Sequence, residues 1–280
     1  MESVTDWLTL WKELSQLQTR SFERERMEKA EDFWKENARK FDKEAKLRWA
    51  VRDSSRDFLV RKLKGHPGST LLDIGAGTGN WSLLAARHAG SVSALDPSPA
   101  MRDILREKIK REQVKNIRIL DGAWPGYAGE AGVHDYVLAS HSMYGVEDFH
   151  AFVTQMNRTA RKGCILVLRA LFANTPMAVA CEQVLGQPYY CPSFQVAYNA
   201  LLAMDIYPDV VMESRGGWKA WSHDTLDQAL GDVKNRLNLW EDNSQDAFLM
   251  KTLKTHLRKE DGKWRWPPGS RSALIHWRPL

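Results

Sequence analysis

Asp73, Gly75, Gly77 and Gly79 stand at fixed spacing within the run Leu71 to Ser82, LLDIGAGTGNWS. A β-prone apolar stretch, Thr70 to Ile74, precedes the glycines and a helical signal over Asn80 to His88 follows, so the pattern predicts strand, tight turn, helix. Glycine suits such a turn because it enters positive φ without strain and lets a ligand approach the backbone closely. A dinucleotide site needs G-x-G-x-x-G before a helix that faces a pyrophosphate. Here the third glycine comes one residue early and Asn80 stands where that pattern requires Gly. The G-K-[ST] of a phosphate loop is also absent. What remains is a glycine turn behind a carboxylate, chemistry suited to a cofactor that carries a cation rather than phosphates.

The pattern resembles motif I of the class I S-adenosylmethionine-dependent methyltransferases, and the resemblance runs over roughly residues 71–171. It implies an α/β fold, a Rossmann-like seven-stranded, mostly parallel sheet, with S-adenosylmethionine as cofactor. In that family the strand-end acid, here Asp73, orients the cofactor's ammonium through the turn, while Gly75, Ala76, Gly77 and Gly79 make room for it. A second strand, Ser91 to Leu95, ends in Asp96-Pro97-Ser98. An acid about 20 residues past the glycines is placed to accept both ribose hydroxyls, and an acceptor-only group there excludes a 2′-phosphate. Asp96 resembles the family's motif II acid; Ser98 caps the next helix, and Met101 falls where a side chain lies against adenine. After a third strand, Ile117 to Leu120, the resemblance assigns Asp121, Gly122, Ala123 and Trp124 to the adenine, with Trp124 as a stacking surface.

A fourth strand, Tyr136 to Ser140, leads into Ser140-His141-Ser142-Met143-Tyr144. Ligands of doubly wound sheets sit beyond the carboxyl ends of the strands near the switch point, so this turn is expected to face the transferred methyl. His141 and Tyr144 are the candidates for substrate contact or proton removal. The [DNS]-P-P-[YFW] motif of base-amino methyltransferases is missing. Upstream, FWKENARKFDK over Phe33 to Lys43 resembles the entry segment of small-molecule methyltransferases, with Trp34, Ala38, Phe41 and Asp42 matching; it implies that Phe41 folds over the cofactor.

The elements that hold these groups follow from periodicity and breakers. Residues 1–62 read as an N-terminal helical segment or lid. Its first helix, carrying Trp7 and Trp11, has either its own body or a neighbouring subunit to dock on. Residues 63–170 read as the cofactor-binding core, 171–208 as a helical cap inserted after the fifth strand, and 209–280 as strands and helices completing the sheet. A helix over Glu147 to Ala160 is expected to stop at Arg161-Lys162-Gly163 before a fifth strand at Cys164 to Leu168. Lys263 to Gly269, KWRWPPG, reads as an edge segment, because its proline pair forbids a central position.

Composition sets the outer limits. The chain has 280 residues, 43% hydrophobic and 27% charged, enough for one large core. No apolar run approaches the roughly 20 residues of a membrane span, and the first ten residues contain two acids and no signal-type core, so a cytoplasmic protein is expected. Three cysteines, Cys164, Cys181 and Cys191, without C-x-x-C indicate neither a disulfide framework nor a zinc site; no metal is expected, and the thiols read as small buried hydrophobes. The net charge of +5 is interleaved with acids, so nucleic acid is disfavoured as a partner. The expected activity is displacement of a methyl group from the cofactor by a small-molecule acceptor, in a monomer or homodimer. An RNA methyltransferase and a non-catalytic protein that keeps the cofactor pocket are the alternatives.

Overall fold

The computed structural model describes residues 5–27, 33–213 and 220–279. Three helices come first: α1 (Trp7–Met27), α2 (Phe33–Trp49) and α3 (Ser54–Gly65). Strands and helices then alternate through β1 (Thr70–Ile74), α4 (Asn80–Ala86), β2 (Ser91–Asp96), α5 (Pro99–Glu112), β3 (Ile117–Asp121), α6 (Ala128–Ala131), β4 (His134–Ser140), α7 (Phe149–Thr159) and β5 (Ala160–Leu171). The alternation breaks at α8 (Pro176–Leu185) and α9 (Phe194–Ala203), followed by β6 (Asp209–Met212), β7 (Ser222–His223), α10 (Leu226–Arg236) and α11 (Asp246–His256). The chain finishes with β8 (Arg258–Glu260), β9 (Lys263–Arg265) and β10 (Ser270–Trp277).

Seven strands form one sheet in the order β3-β2-β1-β4-β5-β10-β6, parallel except for β10, which runs antiparallel to both neighbours. Residues alternate between two apolar layers, as a sheet covered on both faces requires. Leu72, Ile74, Val137, Ala139, Leu166 and Leu168 belong to one layer, closed by residues of α1, α7 and α9; Leu71, Tyr136, Leu138, Ile165 and Val167 belong to the other, closed by α3 and α4. The strand order reverses between β1 and β4, which opens a crevice at their carboxyl ends.

Trp11 anchors α1. Its ring is fully buried, lies 4.4 Å from that of Phe149, and donates its indole N–H to Val146 O at 2.8 Å. The first helix therefore docks on the body of its own chain.

Two expectations change. Arg161-Lys162-Gly163 does not stop a helix: β5 starts at Ala160, directly after α7, and runs for 12 residues. Pairing outweighs the local stop signal here, since Ala160 aligns with His134 across a bulge and Lys162 Nζ reaches Asp135 at 3.1 Å. The segment around Trp264 is not an edge of the main sheet either. It forms β9, the centre of a separate three-stranded sheet, β7-β9-β8. That sheet, α10 and α11 share a core with α8 through Met177, Cys181, Val233, Leu253 and Trp266. Helix α9 instead packs in the main-sheet layer with α1 and α7, so the segment 171–208 is divided between the two cores.

Among the described residues no helix is long and apolar enough to cross a membrane.

Candidate cofactor and acceptor site

The turn between β1 and α4 is built on left-handed glycines: Gly75, Gly77 and Gly79 have φ of 66°, 56° and 83°. Two of them are also sterically obligatory. A Cβ on Gly75 would lie 2.3 Å from Ser142 Cβ, and one on Gly79 would lie 2.1 Å from Leu105 Cδ1. Gly77 differs, since a Cβ there would meet only the Phe41 ring, at 3.9 Å. The turn is therefore pressed shut at both ends and open in the middle, beneath an aromatic ring carried by α2. Ala76 N–H bonds to Leu95 O at 2.9 Å, tying the turn to the end of β2.

Asp96 ends β2 beside this opening and is 7% exposed. Its Oδ2 accepts Gly77 N–H at 2.7 Å and its Oδ1 accepts Ser98 N–H at 2.8 Å. Each oxygen keeps acceptor capacity on its other lone pair. Asp73, almost fully buried, accepts from Ser82 Oγ at 2.6 Å. Burial, reinforced by the charge of Asp96 and opposed by the Ser82 hydrogen bonds, pushes its carboxyl up to about 7. Such a group lies behind the turn and gains from a nearby cation, which would favour its ionised form.

The residues expected at the adenine fall into distinct environments. Pro97 is exposed and Met101 buried, the latter packed with Ala38, Ile104, Trp34 and Phe41 where α2 meets α5. Asp121, aligned with Asp96 across β2 and β3, is 70% exposed and held by Arg102, which also donates to the Asp96 carbonyl at 2.7 Å. A Cβ on Gly122 would fall 2.2 Å from the Tyr127 ring, so this position keeps the loop flat against its own turn. Trp124 is 8% exposed, donates to Phe152 O at 3.1 Å and packs edge-on against the Phe152 ring.

Helix α2 is fastened to the turn by a buried polar knot. Asp42 accepts from Thr78 Oγ1 at 2.9 Å and pairs with Lys46 and Lys108. Lys108, 3% exposed, donates also to Thr78 O at 2.9 Å and Asn80 Oδ1 at 3.1 Å. Burial works against the Asp42 charge, but Lys108, Lys46 and Thr78 outweigh it and hold its carboxyl below the usual range.

Beyond Ser140, at the end of β4, the backbone enters a left-handed conformation at His141, φ 55°. Such a conformation is rare for a residue with a side chain. His141 N–H bonded to Val167 O at 2.9 Å and Ser142 Oγ bonded to Ile74 O at 2.7 Å hold the turn against β5 and β1. His141 Nδ1 lies 2.7 Å from Tyr144 Oη, which accepts Arg169 N–H at 2.9 Å. The phenol can donate its one O–H to Nδ1 while its oxygen accepts from Arg169. Burial, and then the charges of Arg169 and Arg48, lower the imidazole to about 3, so His141 is neutral at physiological pH.

Arg169 was missed in the sequence, although a signal existed: it is the single charge in the apolar run CILVLRAL of β5. Its guanidinium lies 4.6 Å from the centre of the Tyr144 ring and lines a cavity of about 60 Å³ with Tyr190, Trp221 and Trp266. Burial works against its charge, but Cys191, Tyr144 and Tyr190 more than compensate and raise its pKa. Cys164, Cys181 and Cys191 are all free and buried.

A seven-stranded sheet with one reversed strand and a glycine turn at its switch point defines a class I, Rossmann-like methyltransferase fold. Residues 71–163 match the family model described as a methyltransferase domain. It is 26% identical over 140 residues to a demethylmenaquinone methyltransferase of Bacillus cereus, covering 48% of this chain and 58% of the relative. The alignment thus spans little more than half the length of the curated relatives it matches. Among solved structures, a Bacillus halodurans protein provisionally called a methyltransferase has a TM-score of 0.53 at 15% identity, with 81% of this chain and 99% of that chain covered. The YcgJ protein of Bacillus subtilis has a TM-score of 0.51 at 14% identity, with 80% and 97% covered. Both similarities concern the fold.

Proposed function

We propose that this chain transfers the methyl group of S-adenosylmethionine to a small-molecule acceptor by direct displacement. One observation carries the reading: an open Gly77 lies between the Asp96 carboxylate and the Phe41 ring, with Asp73 buried behind it. That cradle fits a nucleoside bearing a positively charged tail. Asp96 would hold the two ribose hydroxyls with its remaining lone pairs. Met101 and Phe41 would face the apolar parts of the nucleoside, with Asp121, Gly122 and Ala123 at the base edge. Asp73 would stabilise the ammonium through the turn formed by Gly75, Ala76, Gly77 and Gly79, and Ser140 would lie at the methionine end.

When bound, the cofactor supplies a methyl already activated by a positively charged sulfur. The protein's task is then to align the acceptor and exclude water, and alignment of this kind supplies on the order of 7 to 11 kcal/mol. His141 and Tyr144 serve that task as a fixed, neutral hydrogen-bonding pair. An imidazole held near pH 3 is a weak base, so the acceptor they suit is one that needs no strong base to react. The α2 lid, fastened through Asp42, closes the site over the turn.

The test is calorimetry with S-adenosylhomocysteine on the intact chain and on Asp96→Ala, with circular dichroism to check the fold. Submicromolar to micromolar binding by the parent and loss of at least about a hundredfold in the variant are expected, as two charge-assisted hydrogen bonds are removed. Equal affinity for a folded variant would overturn the assignment. Turnover of labelled S-adenosylmethionine against a small-molecule extract and against RNA then separates the acceptor classes, and absence of turnover with either indicates a binding protein.

A further inference from the structure

The cap and the end of β5 enclose a second feature that the cofactor cradle does not use. We infer that the acceptor is an organic acid whose carboxylate is received by Arg169 and whose planar apolar body lies against Tyr190, Trp221 and Trp266. This inference rests on the methyl-transfer reading above and names the substrate class for it.

The location is the first argument. Arg169 lies on β5, next to β4, and its backbone N–H bonds to Tyr144 Oη, while its guanidinium covers the Tyr144 ring at 4.6 Å. Tyr144 in turn contacts His141, and the adjacent Ser142 presses on Gly75. A continuous set of contacts therefore runs from the glycine turn to the cavity. Arg169 is thus the cavity residue whose contacts lead back to the glycine turn.

The second argument is the character of the cavity. Among the described residues that line it, Arg169 is the one charged side chain. Trp221 and Trp266 meet edge to face at 5.2 Å, and Tyr190 stands 6.2 Å from Trp221, a rigid aromatic wall of low conformational cost. The first turn of α8, Thr175 to Met177, lines the same cavity, so the positive end of a helix dipole adds to the guanidinium. Arg236, paired with Asp232 at 3.2 Å, stands over the Trp221 ring at 4.1 Å. A cation surrounded by phenols, a thiol and aromatic rings suits an anion with a flat hydrocarbon body; a cationic acceptor would be repelled there. The volume of about 60 Å³ takes the charged end and the first few atoms of such a molecule.

The test compares benzoate with benzamide, its uncharged near-isostere, by ligand-observed NMR on the chain saturated with S-adenosylhomocysteine. Saturation is verified first by calorimetry, so that failure of the cofactor reading appears separately as no S-adenosylhomocysteine binding. Benzoate is expected to bind at least about tenfold more tightly than benzamide, the discrimination of a charge-assisted hydrogen bond. That ratio should fall to about one in Arg169→Met and be largely kept in Arg169→Lys, whereas Trp221→Ala should weaken both probes together. Equal binding of the two probes to the parent chain overturns the inference. That comparison needs no variant, so it decides even if Arg169→Met fails to fold.

Discussion

Asp42→Asn is the perturbation that most directly tests how α2 is held. In the folded chain Asp42 and Lys108 form an ion pair with 10% and 3% of their side chains exposed. Removing one member of a buried pair typically costs about 3 to 5 kcal/mol, because the other charge stays desolvated without compensation. Lys108 keeps Thr78 O, Thr78 Oγ1 and Asn80 Oδ1 as acceptors, which places the expected loss near the lower bound, about 3 kcal/mol. The loss should not be spread over the whole fold. Apart from the exposed Arg39–Glu107 pair, the described contacts of α2 with α5 centre on the small cluster of Trp34, Ala38, Phe41, Met101 and Ile104. The least costly response is thus to release α2 while the sheet stays folded. Hydrogen exchange should show α2 amides losing protection by about a hundredfold, roughly 3 kcal/mol at 1.4 kcal/mol per decade, with β1, β4 and β5 unchanged. Affinity for S-adenosylhomocysteine should fall with it, since only the closed state presents Phe41. The double variant Asp42→Leu/Lys108→Met should recover most of the protection, because an apolar pair of similar volume avoids the desolvation cost. Unchanged α2 exchange in Asp42→Asn, or a double variant no better than the single one, would refute this account of the latch.

Three further outcomes follow from the same geometry. Gly79→Ala forces a side chain into φ 83° and against Leu105 Cδ1, and should lower stability by about 2 to 4 kcal/mol in denaturant melts; adding Leu105→Ala should relieve the collision but not the dihedral strain. With Asp73 held at about 7 against an ordinary 3.8, the folded chain keeps a proton that the unfolded chain has released, so stability should decline as pH rises from about 4 to 7, by up to roughly 4 kcal/mol, and level off above. Asp73→Asn should remove that slope. Cofactor binding, which favours the carboxylate, should strengthen over the same interval and release a proton below pH 7, measurable by calorimetry in buffers of different ionisation enthalpy; pH-independent affinity would place Asp73 out of reach of the ligand's charge.

Much of this protein is local, and the local part was legible. Three glycines spaced two apart after an apolar run specify a left-handed turn because few other residues tolerate it, and Asp96 follows at a distance set by one helix and one strand. The mostly parallel sheet follows from strands apolar on both faces alternating with helices. By contrast, Arg161-Lys162-Gly163 carries a stop signal, yet its strand is decided by a partner more than twenty residues earlier in the chain. Trp124 and Trp11 have the same chemistry in the sequence. Only packing against Phe152 and Phe149 makes one a buried brace under a loop and the other an anchor for the first helix.

The remaining uncertainty in the sequence concerned charges and the cap. Lys108 is one of five basic residues in α5, and nothing in their spacing distinguishes the one that enters the core to meet Asp42. Arg169 can be noticed as a charge in an apolar strand, but its aromatic surroundings come from Tyr190, Trp221 and Trp266, brought together by a second small sheet. The glycine turn and its two carboxylates could be read from the chain alone, because backbone sterics and short spacings are encoded within a few dozen consecutive residues. The fastening of α2 and the surroundings of Arg169 emerge only on folding, because they depend on desolvated charges and rings whose partners lie far away along the chain.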